Sequence, residues 1–262
     1  MGLQIMIDTR EDFSREYCMK YNDKKSICML FSRKAKNTPD IYLNGKVLRW
    51  DTKVKHLGNM LSYNLIEADD VANKKGDLAS RANRVIGLLS GASDAVKLKL
   101  FFSQCCHFYG TTTWRFRDKH TLDFHTLYNR CIRRILNIPY RTHTRLLPLL
   151  TGRANSSDDI FGRFNKMVFQ MTESDNKLVS FIAKYSMATK ISIIGSNLDY
   201  LAMKYETDIK SLVSFNFKKY YEKIASDKDR CAVQAIKDIR EDRINFLDSV
   251  ERQLSLYQLC TD

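Results

Sequence analysis

Apolar and polar positions repeat at two periods along this chain. Residues 3–20 place Leu3, Met6, Phe13 and Tyr17 on one helical face, with Arg10 in the intervening seat. Asn22, Asp23 and Ser26 then mark a turn, and Ile27–Phe31 is a short apolar run suited to a strand. Ile41-Tyr42-Leu43, Asn44-Gly45 and Lys46–Trp50 form a hairpin pattern, because Asn-Gly suits the two left-handed positions of a type I′ turn. Lys53–Leu61 reads as one more strand that bends at Gly58.

From Glu67 the period becomes helical. Val71, Leu78, Ala82, Val85, Ile86 and Leu89 share a face over 67–89, and Ala95–Tyr109 is apolar nearly all round, as in a helix buried among neighbours. Phe124, Leu127, Tyr128, Cys131, Ile132, Ile135 and Leu136 keep three-four spacing until Asn137 and Pro139 stop the helix. Arg130, Arg133 and Arg134 lie on its opposite face. Further helices are expected over 157–172, with Ile160, Phe161, Phe164, Met167, Val168 and Met171 as its inner face, over 176–188, through Leu212 and Tyr220, and from Asp229 to Tyr257. In the last of these, Phe246, Leu247, Val250, Leu254 and Tyr257 are spaced like a packing seam for a helical protein partner through residues 229–257. The expected class is mainly α with a small α+β start. Its segments are 1–65, 66–152 and 153–262, with a joint near 151–157.

Composition narrows the function. Only 3 Pro and 10 Gly among 262 residues favour long helices over a turn-rich β fold. Lys and Arg number 43 against 30 Asp and Glu, a net charge of +13, which attracts polyanions. The densest patch is Arg115–Arg153. It holds nine Arg or Lys and two acids, with Trp114, Phe116, Tyr128 and Tyr140 interleaved, a pattern suited to nucleic acid as well as to a solvated helix face. No stretch of about 18 apolar residues is present to span a membrane, and residues 1–20 lack a basic start followed by an apolar run. The 7 cysteines are therefore expected as free thiols inside the cell, in cytoplasm or nucleus.

Metal chemistry finds little support. His107, His120, His125 and His143 lie near Cys105 and Cys106, but adjacent cysteines on an apolar helix do not make a zinc spacing. Asp69-Asp70 and Asp158-Asp159 both sit at helix starts, where acids complement the dipole and where Ser156 and Ser157 suit capping.

Five segments in order resemble the reverse transcriptase of non-LTR retrotransposons. They are Glu16–Ser26 with Cys28–Phe31, Leu43-Asn44-Gly45 with Val54–Asn59, Ser103–Gly110, Asn129–Asn137 and Thr144–Gly152. The resemblance runs from about residue 2 to about 200 and implies the end of a palm, a thumb and a following helical region. It implies that Lys25, with Lys24 beside it, lies near the incoming nucleotide as general acid for the leaving pyrophosphate. On the residues alone Lys25 is a solvated lysine after a turn. His56, Leu57, Gly58 and Asn59 would form the primer grip, since glycine lets a backbone approach a phosphodiester closely. Arg81 and Arg84 would touch phosphates of an RNA or DNA duplex from the thumb, with Arg130, Arg133 and Arg134 adding to the grip. The family's Tyr-x-Asp-Asp hairpin is expected upstream of Met1, so no metal site and no cofactor are assigned here. Magnesium would require the preceding half. The expected product is a duplex-holding fragment that does not polymerise alone. A helical interaction protein and a retrotransposon relic are the alternatives. Cys18 stands where the family usually has glycine, which predicts strain at a turn.

Overall fold

The computed structural model describes residues 2–31 and 38–259, with side chains undescribed at 213, 243, 244 and 246–259. The chain is mainly helical and forms two compact units, one up to Gly76 and one from Asp77 onward. The second unit runs without interruption through 151–157.

The first unit begins with α1 (Gly2–Glu16). Its inner side is set by Ile7, which packs on a small core of Cys28, Ile41, Leu43 and Leu48, and by buried Ser14. The expected apolar face is instead exposed: Leu3, Met6, Phe13 and Tyr17 all face solvent, Met6 at 67%. The reason is polar. Gln4 exchanges two hydrogen bonds with the Tyr42 backbone, and the Glu11 carboxylate accepts from the Asn44 N–H, so these side chains turn α1 toward the hairpin.

That hairpin joins β1 (Tyr42–Leu43) and β2 (Lys46–Val47), with Tyr42 opposite Val47. Asn44 at φ 50° and Gly45 at φ 70° make the left-handed turn the sequence predicts. Residues 27–31 do not form a strand. Cys28 makes a lone bridge to Trp50 through two backbone hydrogen bonds of 2.9 Å, too short a pairing to extend. Residues 53–61 also differ from expectation. They are a second hairpin, β3 (Lys53–His56) and β4 (Asn59–Ser62), because Leu57 and Gly58 both take positive φ and reverse the chain.

The end of α1 is a Schellman closure. Met19 N–H bonds the Ser14 carbonyl and Cys18 N–H the Arg15 carbonyl, with Cys18 left-handed at φ 53°. A side chain at this position is disfavoured where glycine is not. Cys18 is exposed, so its removal loses no packing. Cys18→Gly is expected to stabilise the first unit by roughly 0.5–1 kcal/mol, read as a higher urea midpoint in equilibrium unfolding.

The second unit is built around α4 (Lys119–Ile135) and α6 (Ser156–Thr172). α2 (Ala68–Leu88) leads into it with Leu78 and Ala82 buried. The expected helix over 95–109 is α3 (Asp94–Leu100) followed by a wider π turn at Phe101–Cys105. No residue of α3 is fully buried, and burial falls on Phe101, Cys105 and Phe108. α4 matches its predicted pattern, with Phe124, Tyr128, Cys131, Ile132 and Ile135 buried. It closes like α1, with Asn137 left-handed at φ 49°.

After a short α5 (Leu147–Thr151), α6 buries Ile160, Phe161, Phe164 and Val168 as expected. α7 (Lys177–Thr189) also matches the expected element. Sequence reading missed α8 (Ile193–Lys204). Buried Asn197 of α8 donates to the Trp114 carbonyl at 2.8 Å and accepts from Phe116 N–H at 3.1 Å, clamping an extended segment. The turn between α7 and α8 is tight: a Cβ on Gly195 would come within 2.3 Å of the Ser186 carbonyl oxygen. The helix expected through Leu212 and Tyr220 is broken into a 3-10 turn at Ser211–Ser214 and α9 (Phe217–Ile224), because Asn216 caps the Lys219 N–H and starts a new helix. α10 (Asp227–Leu259) covers the last predicted helix. The proposed seam at Phe246, Leu247, Val250, Leu254 and Tyr257 lies outside the described side chains. Among the described residues, no single helix is long and apolar enough to cross a membrane.

Candidate nucleic-acid interface

In the first unit, Lys24 and Lys25 are exposed on the turn after α1, where Lys25 N–H bonds the Asn22 carbonyl and side chain. Asp23 in the same turn pairs with Lys46 at 2.6 Å, and that hydrogen bond holds its carboxyl below the ordinary range. His56, Leu57 and Gly58 form the exposed tip of the β3–β4 hairpin, with Leu57 73% exposed. Asn59 is half-buried and anchored: Lys74 donates to its side chain at 2.9 Å and to Asp70 at 3.1 Å. Asp70, only 4% exposed, also accepts from Met60 N–H. This carboxylate sits in the first turn of α2 as expected, yet its work is to tie the hairpin to the helix, which spacing alone did not show.

In the second unit, the basic residues are divided between two flanks of α2. Positions 81, 84, 85 and 88 fall on one side of a 3.6-residue helix, and 83 and 86 on the other. On the first side Arg81, Arg84, Val85, Leu88 and Gln104 line a groove of about 420 Å³. Arg81 is engaged with the Gln104 carbonyl at 3.0 Å, whereas Arg84 is exposed with no hydrogen-bond or ion-pair partner among the described residues.

On the second side lies a pocket of about 470 Å³ bordered by Ile86, Asn129, Arg130, Arg134 and Tyr140. The three arginines predicted together have three different environments. Arg130 is exposed and has no hydrogen-bond or ion-pair partner among the described residues. Arg134 is exposed and donates to Asn83 at 2.8 Å through one nitrogen. Arg133 is half-buried and donates twice to the Thr142 carbonyl, at 3.0 and 2.7 Å, and once to Thr144 at 3.0 Å. Arg133 therefore folds the 139–144 loop back over α4.

A buried polar cluster in the same unit was not anticipated. Asp158 is fully buried and accepts a hydrogen bond from the Tyr205 hydroxyl. Burial raises its carboxyl above the ordinary range, against the lowering effect of Tyr205 and of Lys204 nearby. Ser156 does not cap α6. Asn155 occupies that position, and the Ser156 hydroxyl lies 2.9 Å from His125 Nδ1. His125 Nε2 is buried without a partner among the described residues, and desolvation, helped by the Lys204 charge, lowers its pKa to about 4.

The described thiols are free. Burial raises Cys28 and Cys105, and takes Cys131 to about 11. Asp69, Asp70 and Asp158 do not present open carboxylates to a magnesium pair. Asp69 pairs with Lys53 at 2.9 Å, Asp70 is engaged as above, and Asp158 is enclosed by Tyr205 and Lys204. Among the described residues no group of three or more His, Cys, Asp or Glu could hold a metal ion. The second unit is a helical body with two arginine-lined grooves.

No protein-family model matches the chain, and no solved structure matches it. The RNA-directed DNA polymerase from mobile element jockey of Drosophila melanogaster is 23% identical over 150 residues, covering 55% of this chain. The chain spans only 16% of that protein's length. The chain is thus a distant, partial relative of a retrotransposon reverse transcriptase.

Proposed function

We propose that this chain is a duplex-holding region of a reverse transcriptase, gripping RNA or DNA through phosphate contacts. The observation that carries this is the set of exposed arginines at the mouths of the two α2 grooves: Arg84 on one flank, Arg130 and Arg134 on the other. Arg84 and Arg130 are free of protein partners among the described residues, and Arg134 bonds Asn83 through one nitrogen only, so their guanidinium groups can meet the bidentate geometry of phosphate oxygens. The exposed β-hairpin tip at His56–Gly58 and the ammonium of Lys25 belong to the same reading, as primer grip and as acid toward a leaving pyrophosphate. In this reading the chain does not polymerise by itself: Asp69 and Asp70 are engaged with lysines and a backbone N–H, and Asp158 with a tyrosine, which leaves neither Asp-Asp pair whole for metal ions.

The test is a salt titration of the full chain on a fluorescent RNA–DNA duplex. Three phosphate contacts from Arg84, Arg130 and Arg134 give a log–log slope of about −2.7, so fourfold more salt weakens binding by roughly 40-fold. Replacing all three by glutamine is expected to flatten the slope by about that amount. A duplex affinity indifferent to salt overturns the reading.

A second reading, a helical interaction protein, is favoured by α7, where Leu178, Phe181, Ile182 and Tyr185 are exposed. Gel filtration at several concentrations separates the two. A monomer that binds nucleic acid supports the first.

A further inference from the structure

The pocket beside α4 has features that a duplex-backbone grip does not use. A phosphate contact needs only exposed cations, which Arg84 already supplies elsewhere. Here the arginines come with an exposed aromatic ring and a buried amide. Tyr140 is 76% exposed at the rim, on the loop that Arg133 folds back. Asn129 lines the wall at 8% exposure, and its carbonyl oxygen is buried with no hydrogen-bond partner among the described residues. A buried acceptor left unpaired is costly, and a ligand bearing an N–H removes that cost. Ile86 and Ile138 add an apolar side against which a flat ring can lie.

Volume and chemistry agree. About 470 Å³ falls within the range of small-ligand pockets, and the wall joins cation, aromatic and amide. Those three functions match the three parts of a nucleotide. The phosphate pairs with guanidinium, the base stacks on an aromatic face, and an exocyclic amino group donates to an amide oxygen. A base inside a duplex cannot offer its face in this way, so the nucleotide must be unstacked.

We propose that this pocket takes one unstacked nucleotide of a single strand, its phosphate against Arg130 and Arg134 and its base between Tyr140 and Asn129. The bases favoured are those with an exocyclic amino group, such as adenine. Uracil and thymine offer Asn129 only the ring N3–H, which lies between two carbonyl oxygens that an amide oxygen repels, so they satisfy it less well. Arg133 is a positioning residue, since its hydrogen bonds to Thr142 and Thr144 hold the loop that carries Tyr140. The proposal rests on the nucleic-acid reading above and adds to it a single-stranded, base-selective site.

The experiment uses the full chain with short oligo(A) and oligo(U) RNAs, the matching DNAs, and an oligo(A) with one 2-aminopurine. The RNA and DNA arms decide which strand supplies the nucleotide. Oligo(A) is expected to bind more tightly than oligo(U), and 2-aminopurine emission is expected to change on binding. Tyr140→Ala weakens single-strand binding roughly 5- to 100-fold and abolishes the emission change, while Tyr140→Phe retains both. Asn129→Leu, similar in volume, removes the preference for A over U. Since Tyr140 is exposed, its variant folds whether or not Asn129→Leu does. Duplex binding with the expected salt slope, but with single-strand binding untouched by Tyr140→Ala, overturns the pocket and leaves the duplex reading standing. Loss of all nucleic-acid binding in the unaltered chain overturns both.

Discussion

Phe161→Ala is expected to destabilise the helical unit by about 3–5 kcal/mol, the usual range for emptying a fully buried aromatic site. Phe161 is 2% exposed and sits at the meeting point of four segments. Its ring lies 4.5 Å from Phe116, 6.0 Å from Tyr200, and 6.4 Å from both His125 and Tyr205, centroid to centroid. The Lys204 ammonium stands 4.8 Å from its centre, a cation over the ring face. Few of these neighbours can collapse into the gap. Asn197 pins the segment that carries Phe116, and Asp158 holds Tyr205 by its hydroxyl. Truncation therefore leaves a cavity and strips a partner from each ring. Urea unfolding followed by the emission of buried Trp114 reads the loss directly. A midpoint shift equivalent to less than ~1 kcal/mol, the level of a surface change, contradicts this packing.

Acidification supplies the second large effect. His125 has a folded pKa lowered to about 4, through burial first and the Lys204 charge second, against an unfolded value of 6.5. A depressed folded value means the unfolded chain binds the proton more readily. The stabilising contribution is thus complete above pH 6.5 and is lost as pH falls toward 4, amounting to about 3 kcal/mol. Asp158 works in the opposite direction. Its carboxyl is raised by burial, so the folded state takes up that proton more readily and softens the acid loss. The neighbouring Asp159, raised to about 6 mainly by desolvation, acts in the same sense, though its exposure leaves solvent to screen it. Comparing wild type with His125→Gln isolates the histidine. The wild-type advantage is expected to fall by about 3 kcal/mol between pH 7.5 and 4. A difference that stays constant with pH would show that His125 titrates normally in the fold.

Much of the fold is legible in one dimension. The Asn44-Gly45 turn, α4 and its stop at Asn137, and the inner face of α6 are local features. Each is fixed by φ preference or three-four spacing within a few residues. The left-handed strain at Cys18 followed from the resemblance to a retrotransposon reverse transcriptase, where glycine is usual, and the arginine run on α4 was legible as charge. The exposed apolar side of α1, the second hairpin at Leu57-Gly58, α8 and the break at Asn216 were not. The first and third turn on polar side chains that bond residues far along the chain, as Gln4 with Tyr42 and Asn197 with Trp114, whereas the turn at Leu57-Gly58 and the Asn216 cap are local features that apolar spacing does not report.

The same division holds for the candidate site. By itself the sequence determined which residues are cationic and which helix carries them, because charge and helical periodicity are properties of neighbours in the chain. Only the tertiary structure decided that Arg81 and Arg84 lie on one flank of α2 and Arg130 and Arg134 on the other. It also decided that Arg133 is spent on Thr142 and Thr144, and that Asn129 faces a pocket with its oxygen unpaired. The physical reason is that a side chain's availability depends on which distant groups desolvate or bond it, and those partners are chosen only when the helices pack.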